Sequence, residues 1–199
     1  LESGYPTRYL FQVNLTHSSG KGINLFVNHW PSRSGGEEKS RPNRIKAATI
    51  LREKVNQLFC SDKNSSIIIM GDFNDEPNDL SIHKILDSKY FNCEVELTEK
   101  TLYNLSSKSF EEGKGTYLYR GDWNMLDQII ISDELVSNKN LHYLCDSFEL
   151  FKPEFLLTKS GQYKGAATPT FGGSKYLGGY SDHIPIGAKF IVNYTSTER

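Results

Sequence analysis

The segment SIIIMGDFN, residues 66–74, is the part of the sequence that most directly indicates the fold. It begins with a short, uninterrupted apolar run, which is typical of a strand that is buried on both faces of a sheet. Gly71, Asp72 and Asn74 follow at once, so the strand would deliver polar side chains at its end. The segment therefore predicts a central strand with chemically active groups at its tip.

The chain around this segment predicts many strands. Residues 8–15 (RYLFQVNL) and 23–30 (INLFVNHW) are rich in β-branched and aromatic residues and flank a polar turn, so they predict an antiparallel hairpin. Further strands are expected at four places, residues 116–123, 126–132, 141–150 and 186–194.

Helices are expected at two places. Residues 43–59 repeat apolar side chains at spacings of three and four, which indicates an amphipathic helix with Asn43 as its N-cap. The Pro-, Gly- and Ser-rich stretch before it is expected to be a loop. Asp79 is expected to cap a second, short helix. Many strands and two helices in one chain of 199 residues predict an α+β layer fold.

Composition excludes several classes of protein. Hydrophobic residues make up 37% of the chain, charged residues 24%, and the formal net charge is −1. These values are ordinary for a globular domain and exclude a disordered tail, a fibre and a globally basic nucleic-acid coat. We expect no transmembrane segment, because no apolar run approaches about 18 residues.

The three cysteines, Cys60, Cys93 and Cys145, have no metal-type spacing. Their odd number leaves at least one thiol unpaired if the chain is alone, and we interpret all three as small, partly buried residues.

Four short segments place hard, polar side chains at the ends of strands or in loops. They are Asn28-His29, the GDFND run from residue 71, Leu126-Asp127-Gln128 and Ser181-Asp182-His183. Taken alone, the GDFND run and His29 are explained better as a turn and a structural residue, and Asp182-His183 could be a surface turn. Asp127, in contrast, interrupts an apolar strand and already indicates a partner. Taken together, carboxylates, amides and imidazoles suit a hard divalent cation combined with acid–base chemistry.

In this order, the four segments resemble the endonuclease/exonuclease/phosphatase superfamily, the deoxyribonuclease-I-like metallo-phosphodiesterases. The resemblance rests on GDFN at 71–74, LDQIIIS at 126–132, SDH at 181–183 and His29, and the pattern NHWPSRSGG from residue 28 is similar to an uncharacterised bacterial subgroup. It implies a two-sheet β-sandwich flanked by helices, formed by residues 1–199 as a single domain. The early Asn and the principal metal-ligand Glu of the family cannot be placed, so we expect the chain to be the C-terminal portion of that domain.

The resemblance also implies catalytic roles. Asp72 matches the carboxylate that orients or deprotonates the attacking water, and the Asn74 amide would hold that water or the scissile phosphate. His183 would donate to a phosphoryl oxygen or act as a general acid or base, and Asp127 matches its carboxylate partner. His29 matches a second histidine near the phosphate. Which histidine is the acid stays open.

Metal and substrate contacts are expected at further positions. Asp182 matches a carboxylate at the metal site, where Mg²⁺ or Mn²⁺ is implied and Ca²⁺ is an alternative. Arg33 and Arg44 are candidates for bidentate contact with substrate phosphate, and Tyr180 for the pocket lining. Trp123 is expected to pack in the core.

The expected function is hydrolysis of phosphate esters, first of all as a phosphodiesterase or nuclease acting on nucleic acid or a small phosphodiester. A phosphomonoesterase or a phospholipid or inositol-phosphate hydrolase is the first alternative, and a non-catalytic binding module the second. The N-terminal half of the domain, in the same chain or another, is an expected partner that would cover an apolar face. The location is left open, and an exported protein is compatible with the composition.

Overall fold

The computed structural model describes residues 8, 10–16, 20, 22–137 and 141–193. One long helix and many short strands make up most of its regular structure. The strands are β1 (Phe11–Thr16), β2 (Gly22–His29), β3 (Ile67–Asp72), β4 (Ser88–Tyr90), β5 (Leu102–Asn104), β6 (Tyr117–Tyr119), β7 (Asp122–Asn124), β8 (Asp127–Ser132), β9 (Leu141–Tyr143), β10 (Glu149–Leu150), β11 (Phe171–Gly172), β12 (Lys175–Tyr176), β13 (Ile186–Gly187) and β14 (Phe190–Val192). The helices are α1 (Glu37–Ser61) and α2 (Ser107–Glu111), with a π-helical turn at Ser81–Ile85 and 3₁₀ turns at Asp133–Leu135 and Glu154–Leu156.

The main sheet has six strands in the order β1-β2-β3-β8-β5-β4. β1 and β2 form the predicted antiparallel hairpin, β2 runs parallel to β3, and β3 runs antiparallel to β8. The prediction that residues 66–74 contain a central strand is confirmed, because β3 lies third of six with neighbours on both sides. The ends of β2 and β3 and the start of β8 therefore meet at one edge of the sheet.

Alternate residues of the central strands enter two different cores. On β8, Ile130 packs against α1, whereas Ile129 and Ile131 face the second layer. The first core contains α1 residues such as Leu51 and Val55, which are fully buried. The second core is closed by two short antiparallel pairs, β9 with β14 and β10 with β13. The sheet thus lies between a helical layer and a second β layer. Packing on both faces fixes the position of the edge at which β2, β3 and β8 meet.

α1 begins six residues earlier than the sequence predicts. It starts at Glu37, and neither the expected loop up to residue 42 nor the Asn43 cap is observed. The reason is a set of side-chain bonds that helical periodicity does not reveal. The Arg44 guanidinium donates to the hydroxyl of Ser40 and to the carbonyl of Glu37, which closes the first turns even though Pro42 removes one backbone donor.

Three predicted strands are each divided in the structure. Residues 116–123 form part of a hairpin, β6 and β7, whose turn contains Arg120 and Gly121, both at positive φ. Residues 141–150 are divided into β9 and β10 by a turn that places Asp146 at positive φ, and residues 186–194 are divided into β13 and β14. Trp123 lies half-buried on β7 with the Lys152 ammonium 4.4 Å from its ring centroid, so the prediction that it packs in the core is wrong.

The interpretation of the three cysteines as partly buried residues is also wrong, because all three are exposed. Cys93 and Cys145 form a disulfide bond, with Cα atoms 5.9 Å apart, that joins the loop after β4 to the turn after β9. Cys60 is free and exposed. The pairing brings together residues 52 positions apart, which the spacing of three cysteines could not indicate.

None of the helices in the described ranges is both long enough and apolar enough to span a membrane.

Candidate active site

Sheet register brings three of the predicted catalytic residues to one edge. His29 at the end of β2 is paired with Asp72 at the end of β3, and Asp72 is paired with Asp127 at the start of β8. The Nε2 atom of His29 lies 3.3 Å from Oδ2 of Asp72. Three adjacent strands therefore present an imidazole and two carboxylates at the same level of the sheet.

Gly71 allows the polar tip of β3 to approach β2 this closely. Its φ is +131°, a conformation that L side chains rarely adopt, and a Cβ atom there would collide with the backbone of Asn28. Beyond it, Asp72 accepts a hydrogen bond from the Trp30 amide on its backbone oxygen, at 2.9 Å. The glycine of the GDFN motif is thus required by backbone packing, and the residue after it is the predicted catalytic Asp72.

His183 reaches the edge from a loop, and Thr116 fixes that loop in place. The buried Thr116 accepts the amide of Ile184 on its carbonyl oxygen, at 2.8 Å, and the amide of Asp127 on its hydroxyl, at 3.1 Å. This shared partner brings the SDH turn beside β8. The Nδ1 atom of His183 then lies 2.6 Å from Oδ2 of Asp127.

The surroundings of His183 stabilise its protonated form. Burial lowers the pKa of His183, but the hydrogen bond to Asp127 and the negative charges of Asp127, Asp72 and Asp182 outweigh burial, so the pKa lies above its ordinary value. The carboxylate also fixes the orientation of the ring. In contrast, burial lowers the pKa of His29, and the charge of Asp72 compensates only in part. The two histidines at this site are therefore electrostatically different.

Asp72 is held by Asn74. The backbone amide of Asn74 donates to Oδ1 of Asp72 at 2.8 Å, and its side-chain amide donates to Oδ2 at 3.1 Å and to the carbonyl of Trp30 at 3.1 Å. Burial and the nearby charge of Asp127 raise the pKa of Asp72. Asn74 therefore fixes the orientation of a carboxylate whose basicity is increased. The side-chain N–H groups of Asn74 point toward Asp72 and the Trp30 carbonyl in this structure.

These residues open onto a cavity of about 1060 Å³. The lining includes His29, Asp72, Asn74, Asp127 and His183. Arg33 and Asp182 also line it, so seven of the nine predicted site residues lie together.

Arg33 is anchored within the protein. Its Nε donates to the backbone oxygen of Asn74 at 2.7 Å, and its terminal nitrogens reach Asp79 at 3.0 Å and Asn124 at 3.5 Å. The side chain nevertheless keeps 23% of its surface exposed to the cavity. Arg33 thus ties the loop after β3 to β7, with part of the guanidinium facing the space where substrate would lie.

Two predicted substrate contacts lie elsewhere. Arg44 is completely buried beneath the site, with its Nε 2.5 Å from Oδ1 of Asp75, so it cannot contact substrate phosphate. The sequence could not distinguish it from exposed arginines because its helical position alone does not give its depth. Tyr180 is 74% exposed and packs edge-on against Phe155, outside the cavity lining.

Sequence reasoning missed the polar support beneath the site. Buried Asp75 accepts hydrogen bonds from Arg44 and from Ser81, and its backbone oxygen accepts from the amide of Gln128, at 2.6 Å. Burial raises the pKa of Asp75. The sequence feature that could have indicated this support is the pair of acidic residues, Asp75 and Glu76, directly after Asn74, which a turn does not require.

The described residues fit a hard divalent cation. Asp72, Asp127 and His183 have donor atoms that all lie within 4.8 Å of one another. Two carboxylates with room for water are a donor set that Mg²⁺ or Mn²⁺ accepts. Asp182 lines the cavity without joining this group of three, so its role as a metal ligand stays a prediction.

The fold and the cluster at the strand ends define the class of this protein as a deoxyribonuclease-I-like α+β sandwich with an acidic, histidine-containing site. The chain belongs to the Endonuclease/Exonuclease/phosphatase family, whose family model matches residues 2–191. This confirms the resemblance drawn from the GDFN and SDH motifs. No curated protein is significantly similar to the chain in sequence.

Solved structures show the same fold at low sequence identity. A truncated TDP2 from Caenorhabditis elegans superposes with a TM-score of 0.55 at 16% identity, covering 92% of this chain and 59% of that one. The human nocturnin catalytic domain, with a bound sulfate anion, superposes with a TM-score of 0.50 at 18% identity, covering 90% of this chain and 51% of that one. The chain thus spans between half and three-fifths of the length of these two structures.

Proposed function

We propose that this protein is a divalent-metal-dependent phosphoester hydrolase, acting as a phosphodiesterase by in-line attack of water. The observation that carries the proposal is the convergence of Asp72, Asp127 and His183, whose donor atoms lie within 4.8 Å of one another at the floor of an open cavity. The established family supports the same class of reaction. The predicted contribution of an N-terminal half of the domain stays a prediction.

In the proposed reaction, Asp72 accepts a proton from the attacking water. Its raised pKa makes it a better base than an ordinary aspartate, and Asn74 fixes the direction of its lone pairs. Water attacks phosphorus opposite the leaving oxygen, and negative charge grows on the phosphoryl oxygens.

His183 stabilises this developing charge. Its protonated ring, held by Asp127, has one nitrogen free to donate toward a phosphoryl oxygen, and the raised pKa keeps it charged at neutral pH for a larger fraction of molecules. His29, whose Nε2 lies 3.3 Å from Oδ2 of Asp72, is too close to the proposed base to protonate an oxygen on the opposite side of phosphorus, so we assign it contact with the phosphate on the side of the attacking water. A cation held by the carboxylates would supply additional neutralisation of phosphoryl charge.

The test is hydrolysis of methyl 4-nitrophenyl phosphate, a small phosphodiester, by protein stripped with EDTA and then supplied with Mg²⁺, Mn²⁺ or Ca²⁺. We expect release of 4-nitrophenolate that depends on added metal and is lost on chelation. 4-Nitrophenyl phosphate, a monoester, serves as the comparison substrate. Faster hydrolysis of the monoester would assign a phosphomonoesterase instead, and no hydrolysis of either would contradict the proposed function.

A further inference from the structure

A row of aromatic rings leads outward from the catalytic histidine along the cavity wall. The ring of Tyr117 stacks on that of His183, with centroids 4.8 Å apart and planes at 29°. Tyr119, two residues further along β6, is nearly parallel to Tyr117, with centroids 6.2 Å apart and planes at 15°. The guanidinium of Arg120 lies 5.2 Å from the Tyr119 ring centroid. We call Tyr117, Tyr119 and Arg120 the hairpin platform.

The hairpin that carries this platform is held by its turn and by a contact with Arg33. Arg120 and Gly121 form its two-residue turn with φ values of +54° and +101°, the conformation that matches the twist of paired strands. Asn124, on the opposite strand, is within 3.5 Å of the Arg33 guanidinium, which is itself bonded to the loop after β3. The platform is therefore preformed relative to Asp72, and binding a ring on it requires little ordering.

Tyr117 and Arg120 lie against the outer ring of the platform, that of Tyr119, but do not cover it completely. Tyr119 is 51% exposed although it lines the cavity, so part of its aromatic surface faces solvent within the same cavity as His183. The cavity volume of about 1060 Å³ is at the upper end of the range for drug-sized ligands and far exceeds that of a phosphate group. A planar group attached to the reacting phosphate has both the space and a surface on which to stack.

We propose that Tyr119 and Arg120 form a subsite that stacks a nucleobase, so that the preferred substrates are phosphodiesters of a nucleoside. Every base has a π-face, and stacking of a base on an aromatic side chain, supported by arginine, is a common way of binding single nucleotides. The inference rests on the proposed function and specifies its substrate class.

The charges of the cavity favour one nucleotide over a long polyanion. Arg8, Arg33 and Arg120 line it, but so do the carboxylates of Asp122 and Asp182, among others. The whole chain has a net charge of −1. Binding of a long nucleic-acid strand requires a continuous basic groove. This cavity is instead lined by both positively and negatively charged side chains.

The test compares two esters that share one leaving group, thymidine 5′-(4-nitrophenyl phosphate) and methyl 4-nitrophenyl phosphate. In both, water adds to phosphorus, the bond to 4-nitrophenolate breaks, and the thymidine or methyl phosphate is released. We expect kcat/KM to be at least about fivefold higher for the thymidine ester, and Tyr119→Ala to lower this ratio by about 5- to 150-fold, as expected for one base stacked on one ring. The inhibition constant of thymidine 5′-monophosphate should rise by a similar factor.

Two control variants keep the test specific. Tyr119→Phe keeps the ring and should retain the ratio. Tyr176→Ala removes a tyrosine that is 68% exposed and lies outside the cavity lining, and it should also leave the ratio at the wild-type value. Equal hydrolysis of both esters, or a ratio that Tyr119→Ala leaves intact, would overturn the nucleobase subsite while the proposed function stands. Failure to hydrolyse either ester would overturn the proposed function itself.

Discussion

Asp127 and Asp72 lie opposite each other on adjacent strands, but their hydrogen-bond partners are different. Asp127 is bonded to the ring of His183 at 2.6 Å, whereas Asp72 accepts two donors from Asn74. In the proposed reaction, Asp127 orients the protonated ring of His183 and Asp72 accepts the proton of water. This proposed difference between two aspartates depends on individual hydrogen bonds, so it can be tested by substituting the residues that form them.

Asp127→Asn should lower the pKa of His183. Burial already lowers it, and the hydrogen bond and charge of Asp127 are the largest contributions that raise it. Because the pKa of His183 in the folded wild type lies above its ordinary value of 6.5, the pair stabilises the fold fully below pH 6.5 and loses this stabilisation as the pH rises through the folded pKa. Proton NMR titration of the metal-free protein measures the change.

Asp182→Asn is the matched control for that titration. Asp182 contributes least among the charges that raise the pKa of His183, so its removal should lower this pKa by less. A larger decrease in Asp182→Asn than in Asp127→Asn would contradict the assigned pairing.

Arg44→Ala should destabilise the protein by about 3–5 kcal/mol, because it removes the hydrogen-bonded cation of the buried Asp75 carboxylate and leaves only Arg33, 3.7 Å away. Urea unfolding measures the loss. Arg41→Ala is the control on the same helix, since Arg41 is partly exposed and pairs with Glu38 at the surface, where removal costs about 1 kcal/mol or less. Equal effects of the two substitutions would show that Arg44 has no structural role.

At the level of elements, the edge of the sheet could be predicted from local sequence, whereas the support behind it could not. An apolar run followed at once by Gly, Asp and Asn indicates a central strand with a polar tip, and β3 confirms it. The contact between β8 and the SDH turn spans 56 residues, and it was expected only from the resemblance to a family. Periodicity also could not reveal that α1 extends to Glu37, because side-chain bonds decide that boundary.

The disulfide is an element-level feature that makes a separate prediction. Cys93 and Cys145 tie the main sheet to the second β layer across 52 residues, and closing a loop of that length stabilises a fold by about 4 kcal/mol in the chain-entropy description. Protein purified without reductant should therefore contain one titratable thiol per chain, that of Cys60. Reduction should lower the free energy of unfolding by a few kcal/mol. Three thiols in the unreduced, denatured protein would contradict the pairing.

At the scale of the whole molecule, the net charge of −1 does not show how unevenly the charged groups are distributed in the cavity. Acidic and imidazole groups form its floor, and arginines and two tyrosines line its walls. Composition excludes a globally basic protein but does not report where the charges lie. The two hydrophobic cores on opposite faces of the sheet keep this arrangement fixed, because both act on the strands that carry His29, Asp72 and Asp127.

The most direct test of the central claim is the turnover of methyl 4-nitrophenyl phosphate by Asp72→Asn in the presence of saturating Mg²⁺. The substitution keeps the size of the side chain and removes the base that is proposed to accept the proton of water. We predict that kcat falls by about 10²-fold or more, the usual contribution of a general base, while the thermal unfolding midpoint shows that the variant is folded. A folded variant with near-normal kcat would contradict the assignment of the active site.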